Sequence, residues 1–380
     1  MVIDQVQLGD VTSNQTLTVT SYPSGASISS TTVANSGLAS VDNGGSLNYQ
    51  ATQEQAGKSL ANTNLSFADN AGSQLYVQTS ATGNTGTAGV AGGALTGSST
   101  QTIDANQTVT AQTNLYIGGP APTGLVSVDS SAVGNDQGWE AKGGSVAATS
   151  IQTQYGETYA ALGADVANVS GPASYSATAV ANNVTSDATG APVSLTVNQA
   201  ADGFRTRAGM DVTQQSGGDI TAAATATSNN INVTADTYAA RLSSTQFNSN
   251  PVQAEVDLTA GTWTGAATVS AYGVANSAIV SNAGPSTTVD GAQSTTGEVS
   301  AVANFTGGSS SGDSTVLSTA VGNAYSAYAC PDCNGAVNAN VRQTSSGGVS
   351  ATTTVSTSSA GYISGAAAAV GNTATFQVKK

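Results

Sequence analysis

The stretch Ser176-Ala177-Thr178-Ala179-Val180-Ala181-Asn182-Asn183 decides the fold, because the chain repeats it. Its centre, Val-(Gly/Ala)-Asn, recurs with the asparagine at Asn35, Asn135, Asn168, Asn182, Asn276, Asn304, Asn323 and Asn372. The lead-in is shared in SAVANF at 300–305, STAVGNA at 318–324 and AAAAVGNTATF at 366–376. A phrase repeated this often means that one small unit is stacked on itself, so the fold is a repeat architecture.

Composition sets the interior. Of 380 residues only 8% are charged and 5% aromatic, and there is no histidine. Ala, Ser and Thr make up roughly two-fifths of the chain, well above ordinary usage. Such a chain cannot fill a thick core with Leu, Phe and Met, but it can fill a narrow, regular one with small side chains. It is not composed like a disordered chain either, since disorder goes with high charge and few valines. The net charge of −14 with eight basic residues removes nucleic acid and anionic membrane surfaces as partners, because binding phosphates needs a basic stripe. An acidic surface rich in Ser, Thr, Asn and Gln suits an exported protein. No run approaches the roughly 20 apolar residues of a spanning helix. The first residues lack a signal peptide, so an exported protein would be seen here in its mature form.

Short alternating runs fix the secondary structure. Gln15-Thr16-Leu17-Thr18-Val19-Thr20, Val193-Ser194-Leu195-Thr196-Val197-Asn198 and Ala351-Thr352-Thr353-Thr354-Val355-Ser356 carry the period of half-buried strands. Gly, Asn, Ser and Pro clusters such as Asn43-Gly44-Gly45 and Gly118-Gly119-Pro120 read as corners. The predicted fold class is therefore all-β, a parallel β-solenoid (β-helix) with variable corner loops. It spans residues 1–380 as a single elongated domain, with residues 1–20 as an N-terminal cap or pairing strand. The alternative is a β-sandwich array, which this chain's scarcity of large apolar residues disfavours. Within a solenoid the repeated asparagines would stack, each amide bonded to the copies above and below, or would take the left-handed backbone of a corner. The uneven spacing of the phrase implies coils of unequal length. A further pair, VTQQSGGDITAAATA at 212–226 and VRQTSSGGVSATTTV at 341–355, aligns without a gap and predicts an equivalent corner.

Chemistry-bearing residues are few. Cys330-Pro331-Asp332-Cys333 lacks the further Cys or His of a zinc site and the βαβ setting of a redox dithiol. The expectation is a local disulfide between Cys330 and Cys333 in an oxidising setting. Asp129, Asp136 and Glu140 beside Trp139, and Asp211 with Asp219, offer carboxylates for glycoside hydrolysis, but exposed carboxylates on turns are ordinary. Calcium-binding Gly/Asp repeats are missing. Trp139 and Trp263 could meet sugar rings, though filling the coil is the commoner use. Thr16, Thr18, Thr20, Thr352 and Thr354 resemble fragments of an ice-binding array without its fixed period. Asn-x-Ser/Thr sequons such as Asn14, Asn106 and Asn168 are frequent simply because those residues are frequent. No catalytic residue, cofactor or metal is predicted, and the expectation is a protein that is not an enzyme.

The C-terminal third, with VANF at 302–305, AVGNAYSAYACPDCNG at 320–335, NVRQTSSGGVSATTTVS at 340–356 and AAAAVGNTATF at 366–376, resembles the holdfast anchor protein HfaD family of stalked alphaproteobacteria. QVQLGDVTSNQTLT at 5–18 adds to the likeness. The resemblance implies a cell-surface anchor or adhesin that fastens an adhesive polysaccharide holdfast to the outer membrane at the stalk or pole tip. Its implied partners are a curlin-like subunit, a curli-secretion-type outer-membrane pore and the surface polysaccharide. The rival readings are a generic exported solenoid adhesin, like an autotransporter passenger, and a polysaccharide-degrading β-helix enzyme.

Overall fold

The structure is a computed structural model that describes residues 1–22, 24–119, 121–330 and 335–378. It is a parallel β-solenoid built from three parallel sheets of eight strands each. Each coil contributes one strand to every sheet. The first coil runs through Val2–Gln7, Val11–Val19 and Ala26–Val41, and the last through Ala336–Ser345, Val349–Ser359 and Ile363–Val378. The residues flagged as a cap or pairing strand are thus the first two strands of the opening coil. We call the sheets the first, the second and the long sheet, in the order each coil visits them. At about 4.8 Å between paired strands, eight coils rise about 38 Å.

Alternation explains the first two sheets. In Val252–Trp263, Val252, Ala254, Val256, Leu258 and Ala260 face inward, while Gln253, Glu255 and Asp257 lie on the outer face. Stacking like on like lets each small apolar residue bury against its copies in the coils above and below. The long sheet departs from this rule. Its strands run up to 18 residues, and near the middle two successive residues point inward: Gly83-Asn84, Gly134-Asn135 and Ala181-Asn182. The ladder skips the first of each pair: Val180 pairs Val133 and Thr227, Asn182 pairs Asn135 and Asn229, and Ala181 drops out. Extra residues of this kind bend a strand. The bend folds the long sheet around the interior, and the small residue sits where the chain of the next coil presses closest.

That bend divides the core. One apolar cluster joins the second sheet to the leading half of the long sheet, with Leu65, Phe67, Leu75, Val126 and Leu258. The other joins the first sheet to the trailing half, with Leu47, Tyr49, Trp139, Leu195 and Val233. Between them lies a wall of amides.

The Gly-rich corners leading out of the long sheet stack as well. Gly44, Gly92, Gly143 and Gly190 all have positive φ, between 66° and 84°, a backbone that costs glycine nothing. Beside them Gly144, at φ 83°, has no room for a Cβ, which would run into the Gly93 carbonyl oxygen. Gly144→Ala is expected to lower stability by about 2 kcal/mol, read as a fall in the urea midpoint. Gly218→Ala, where a Cβ would meet only the Gly171 carbonyl at 3.6 Å, should leave the midpoint within error.

The aligned pair at 212–226 and 341–355 does not mark equivalent corners. The first turns from the second sheet into the long sheet, the second from the first sheet into the second. Gly-Gly flanked by Thr and Ala suits either corner, so the similarity is local. The coils are also more even than the spacing of Val-(Gly/Ala)-Asn implies: successive bonded asparagines of the long sheet lie 47 to 51 residues apart.

Candidate functional site

Six of the eight asparagines singled out in the sequence, Asn35, Asn135, Asn182, Asn276, Asn323 and Asn372, fall in one column of the long sheet, just after the bend. Asn84 and Asn229 complete it. Each side-chain amide donates to the Oδ1 of the next: Asn35 to Asn84 at 2.7 Å, Asn84 to Asn135 at 2.8 Å, Asn135 to Asn182 at 2.8 Å, Asn182 to Asn229 at 2.9 Å, and on to Asn372. Asn84, Asn135, Asn182, Asn229, Asn276 and Asn323 are fully buried.

Asn168 and Asn304 lie elsewhere. Asn168 ends a strand of the second sheet near its corner, where it donates to the Gly119 carbonyl and accepts from the Ser216 hydroxyl. Asn304 is on the outer face of that sheet and donates to Asp257 at 2.8 Å. On an unbent strand Val-Ala-Asn simply alternates, so Asn304 faces outward while Ala303 and Phe305 are buried. The same three residues therefore do two different things, and only the bend separates them.

A second column, invisible in the phrase, faces the first across the interior. Gln5, Gln53, Gln101, Gln152, Gln199, Gln246, Gln293 and Gln343 occupy one register position of the first sheet. From Gln53 onward each donates to the Oε1 of the glutamine one coil earlier, at 2.6 to 2.9 Å. Their signal was a spacing of 47 to 51 residues without a neighbouring phrase common to all of them.

The two columns are laced together. Gln199 donates to the Asn230 carbonyl, one residue past Asn229. Asn182 donates to the Ala200 carbonyl, one residue past Gln199. The same reciprocity holds along the rod, as in Gln101 to Asp136 and Asn84 to Thr102. These backbone oxygens can only accept, so they fix which end of each amide is nitrogen. The asparagine ladder donates toward the C-terminal end of the solenoid and the glutamine ladder toward the N-terminal end. Fully paired, such a network satisfies groups whose burial is otherwise costly.

Asp129, Asp136 and Glu140 do not pair with one another on the long sheet, although Glu140 stands in register beside Asp187 of the next coil. Asp129, Asp136 and Glu140 lie on its strand Leu125–Lys142, and even Asp136 and Glu140 are four residues apart, about 13 Å along a strand, beyond the separations that glycoside hydrolysis uses. Asp219 sits at a corner and accepts from the Ala266 backbone at 2.8 Å. Asp211 stacks in register on Asp257 on the outer face of the second sheet, near the Arg207–Glu255 ion pair at 3.0 Å. That face also carries a shallow trough of about 430 Å³, lined by Asn64, Asn114, Tyr116, Asp165 and Asp211. Trp139 and Trp263 are buried. Trp139 packs edge-on to Tyr49 at 5.7 Å and donates to Ser150, and Trp263 packs edge-on to Phe305 at 5.2 Å. Thr16 and Thr354 share one outer column, but Asn64, Asn114, Gly163, Asp211, Asp257 and Asn304 lie between them, so no threonine array forms there. Cys330 is disulfide-bonded, and Cys333 lies outside the described residues. Among the described residues no cluster of acids and cysteines could hold a metal, and no helix is long and apolar enough to cross a membrane.

Burial raises the carboxyls of Asp129 and Asp136 above the ordinary value, against hydrogen bonds from Ser176 and from Asn183 and Thr85 that pull the other way. A raised folded value means that the proton is held more tightly folded than unfolded. The charged form therefore costs stability at neutral pH, and this cost disappears as pH falls through the folded value. Exposed Asp236, lowered first by the Gly190 N–H, works in the opposite sense, but solvent screens it. Stability is thus expected to hold or rise from pH 7 to pH 5. Asp136→Asn should flatten that profile, measured as Tm at the two pH values.

A family model described as holdfast attachment protein D, HfaD, matches residues 25–297 and 286–380. The chain belongs to the HfaD family. Its role is accordingly one of holdfast attachment at the cell surface. No curated protein and no solved structure matches the chain. The chain is a stack of coils held on its outside by three continuous sheets and on its inside by two amide ladders.

Proposed function

We propose that the chain is a non-enzymatic scaffold, carried on the outer surface of the outer membrane, that fastens an adhesive polysaccharide holdfast through protein–protein contacts. The observation that carries this is the laced amide spine. It spends the most elaborate chemistry of the molecule on joining coil to coil, buried where no substrate reaches. Its partners are other anchor components, a curlin-like subunit and a curli-secretion-type outer-membrane pore, together with the surface polysaccharide, and its place is the stalk or pole tip. The outer trough of the second sheet, with Tyr116 half-exposed, supplies aromatic and polar groups of the kind that meet sugars.

The test is deletion of the gene followed by a count of cells that keep their adhesive. Shedding of holdfast into the medium is the expected result, and full retention would overturn the proposal. Incubating the purified chain with holdfast polysaccharide separates this from the enzyme reading. Release of soluble fragments that stops in Asp211→Asn would establish catalysis instead.

A further inference from the structure

Both ends of the solenoid present an uncovered coil. Inward-pointing residues that are buried in the middle of the rod are half-buried or exposed there: Leu17 and Val19 in the first coil, Val349, Ala351 and Val355 in the last. Asn323 is fully buried, while Asn372, one coil on, is exposed. The strands of these two coils pair on one side only, which leaves open parallel edges.

The two ends are complementary in four respects. First, the ladders end with opposite needs. At the last coil Asn372 has accepted its bond from Asn323 and has its Nδ2 free to donate, while Gln343 has donated and has its Oε1 free to accept. At the first coil Asn35 has donated and its Oδ1 is free, while Gln5 keeps an N–H beyond the one it gives Ser36. Second, continuing the columns sets Asn340–Ser345 against Val2–Gln7, Val349–Thr357 against Val11–Val19 and Ile363–Val378 against Ala26–Val41, so all three edges come into register together. Third, apolar residues meet: Val341 falls opposite Ile3 and Val355 opposite Leu17. Fourth, residues 1–46 hold Asp4, Asp10 and Asp42 and no basic residue, whereas residues 336–378 hold Arg342 and no acidic one. Asp4 and Arg342 are exposed members of one outer column of the first sheet, at its opposite ends.

We propose that copies of this chain stack head to tail, the last coil of one on the first coil of the next, so that both amide ladders and all three sheets continue through the junction. The occupant of each open end is a second copy. Stacking of like ends would set acid against acid at one junction and base against base at the other, and would bring amide groups of the same kind together. A head-to-tail contact does not close on itself, so it builds an open chain of copies. This goes beyond the attachment role and is tested without it, on the purified chain alone.

The purified chain, followed by sedimentation velocity over a range of concentrations and by negative-stain microscopy, should form unbranched rods. Their axial repeat should be about 38 Å per copy. Arg342→Glu or Asp4→Lys alone is expected to raise the concentration of half-assembly about tenfold, because each sets like charges face to face. The two substitutions together should return it to within about threefold of the parent, since the coupling of neighbours is recovered. Both positions are exposed, and circular dichroism checks that each variant keeps its sheets. Sedimentation as a monomer at every concentration, closed dimers, or single reversals without effect would each overturn the proposal. Failure of the rods with holdfast shedding intact in the deletion strain would remove the stacking and leave the anchor.

Discussion

Asn182→Leu should destabilise the chain by about 3–5 kcal/mol, among the largest effects of any single substitution in the rod. The leucine fills a similar volume, so packing changes little. What changes is hydrogen bonding, because Asn182 donates to the Ala200 carbonyl and to Asn229 and accepts from Asn135. All three partners would be left inside without a substitute, and an unpaired buried polar group costs about 1–3 kcal/mol. In a stack whose units touch only their neighbours, a weak interface near the middle also uncouples the halves. The urea transition of the variant should therefore fall in midpoint and broaden or split. Asn372→Leu removes the same side chain from the open end, where Asn372 is exposed, and should shift the midpoint by less than about 1 kcal/mol. Equal effects at the two positions would mean that the ladder adds nothing to the coil interfaces.

Trp139→Ala is the second. Trp139 is fully buried in the cluster between the first sheet and the trailing half of the long sheet, edge-on to Tyr49 and bonded through its indole N–H to Ser150 at 2.8 Å. Its neighbours in that cluster are held on paired strands, so they can close only part of the space left. The expected loss is about 3–5 kcal/mol, read as the change in urea midpoint. Trp139→Phe, which keeps most of the volume and gives up the Ser150 bond, should cost less than half as much. If alanine and phenylalanine proved equally harmful, the hydrogen bond and not the packing would be what Trp139 supplies.

The solenoid was legible in the chain because stacking like on like leaves a mark that alternation alone does not. Ala177, Ala179 and Asn182 have kin in 318–324 and 366–376 because they occupy the same inner columns. The exact membership of the columns was not legible. Asn84 follows Thr82-Gly83 and Asn229 follows Thr227-Ser228, so neither carries the valine of the phrase. At this bend the position before the small residue tolerates any β-branched side chain, and the small residue need only be small. Asn168 and Asn304 carry the phrase without the bend. The glutamine column was hidden more thoroughly, since Gln53, Gln152 and Gln293 share no neighbours. Only the register of the coils, a property of the folded chain, brings them into line. The charge division between first and last coil was present in the sequence, but it acquires meaning only when residues 1–46 and 336–378 are known to be the two ends of one axis.

The opposed directions in which the two ladders donate have a mechanical counterpart in the path of the backbone. The chain circles the axis while nearly all bonds between coils lie along it, so a pull on the rod loads three sheets and two ladders at once instead of peeling one strand. If an end coil does detach under such a load, it gives up about 4.8 Å of rod and releases some 47 residues, a tether of about 160 Å when extended. A cell held by this protein would then be slowed over a distance many times the length lost, with the next coil still closed behind it.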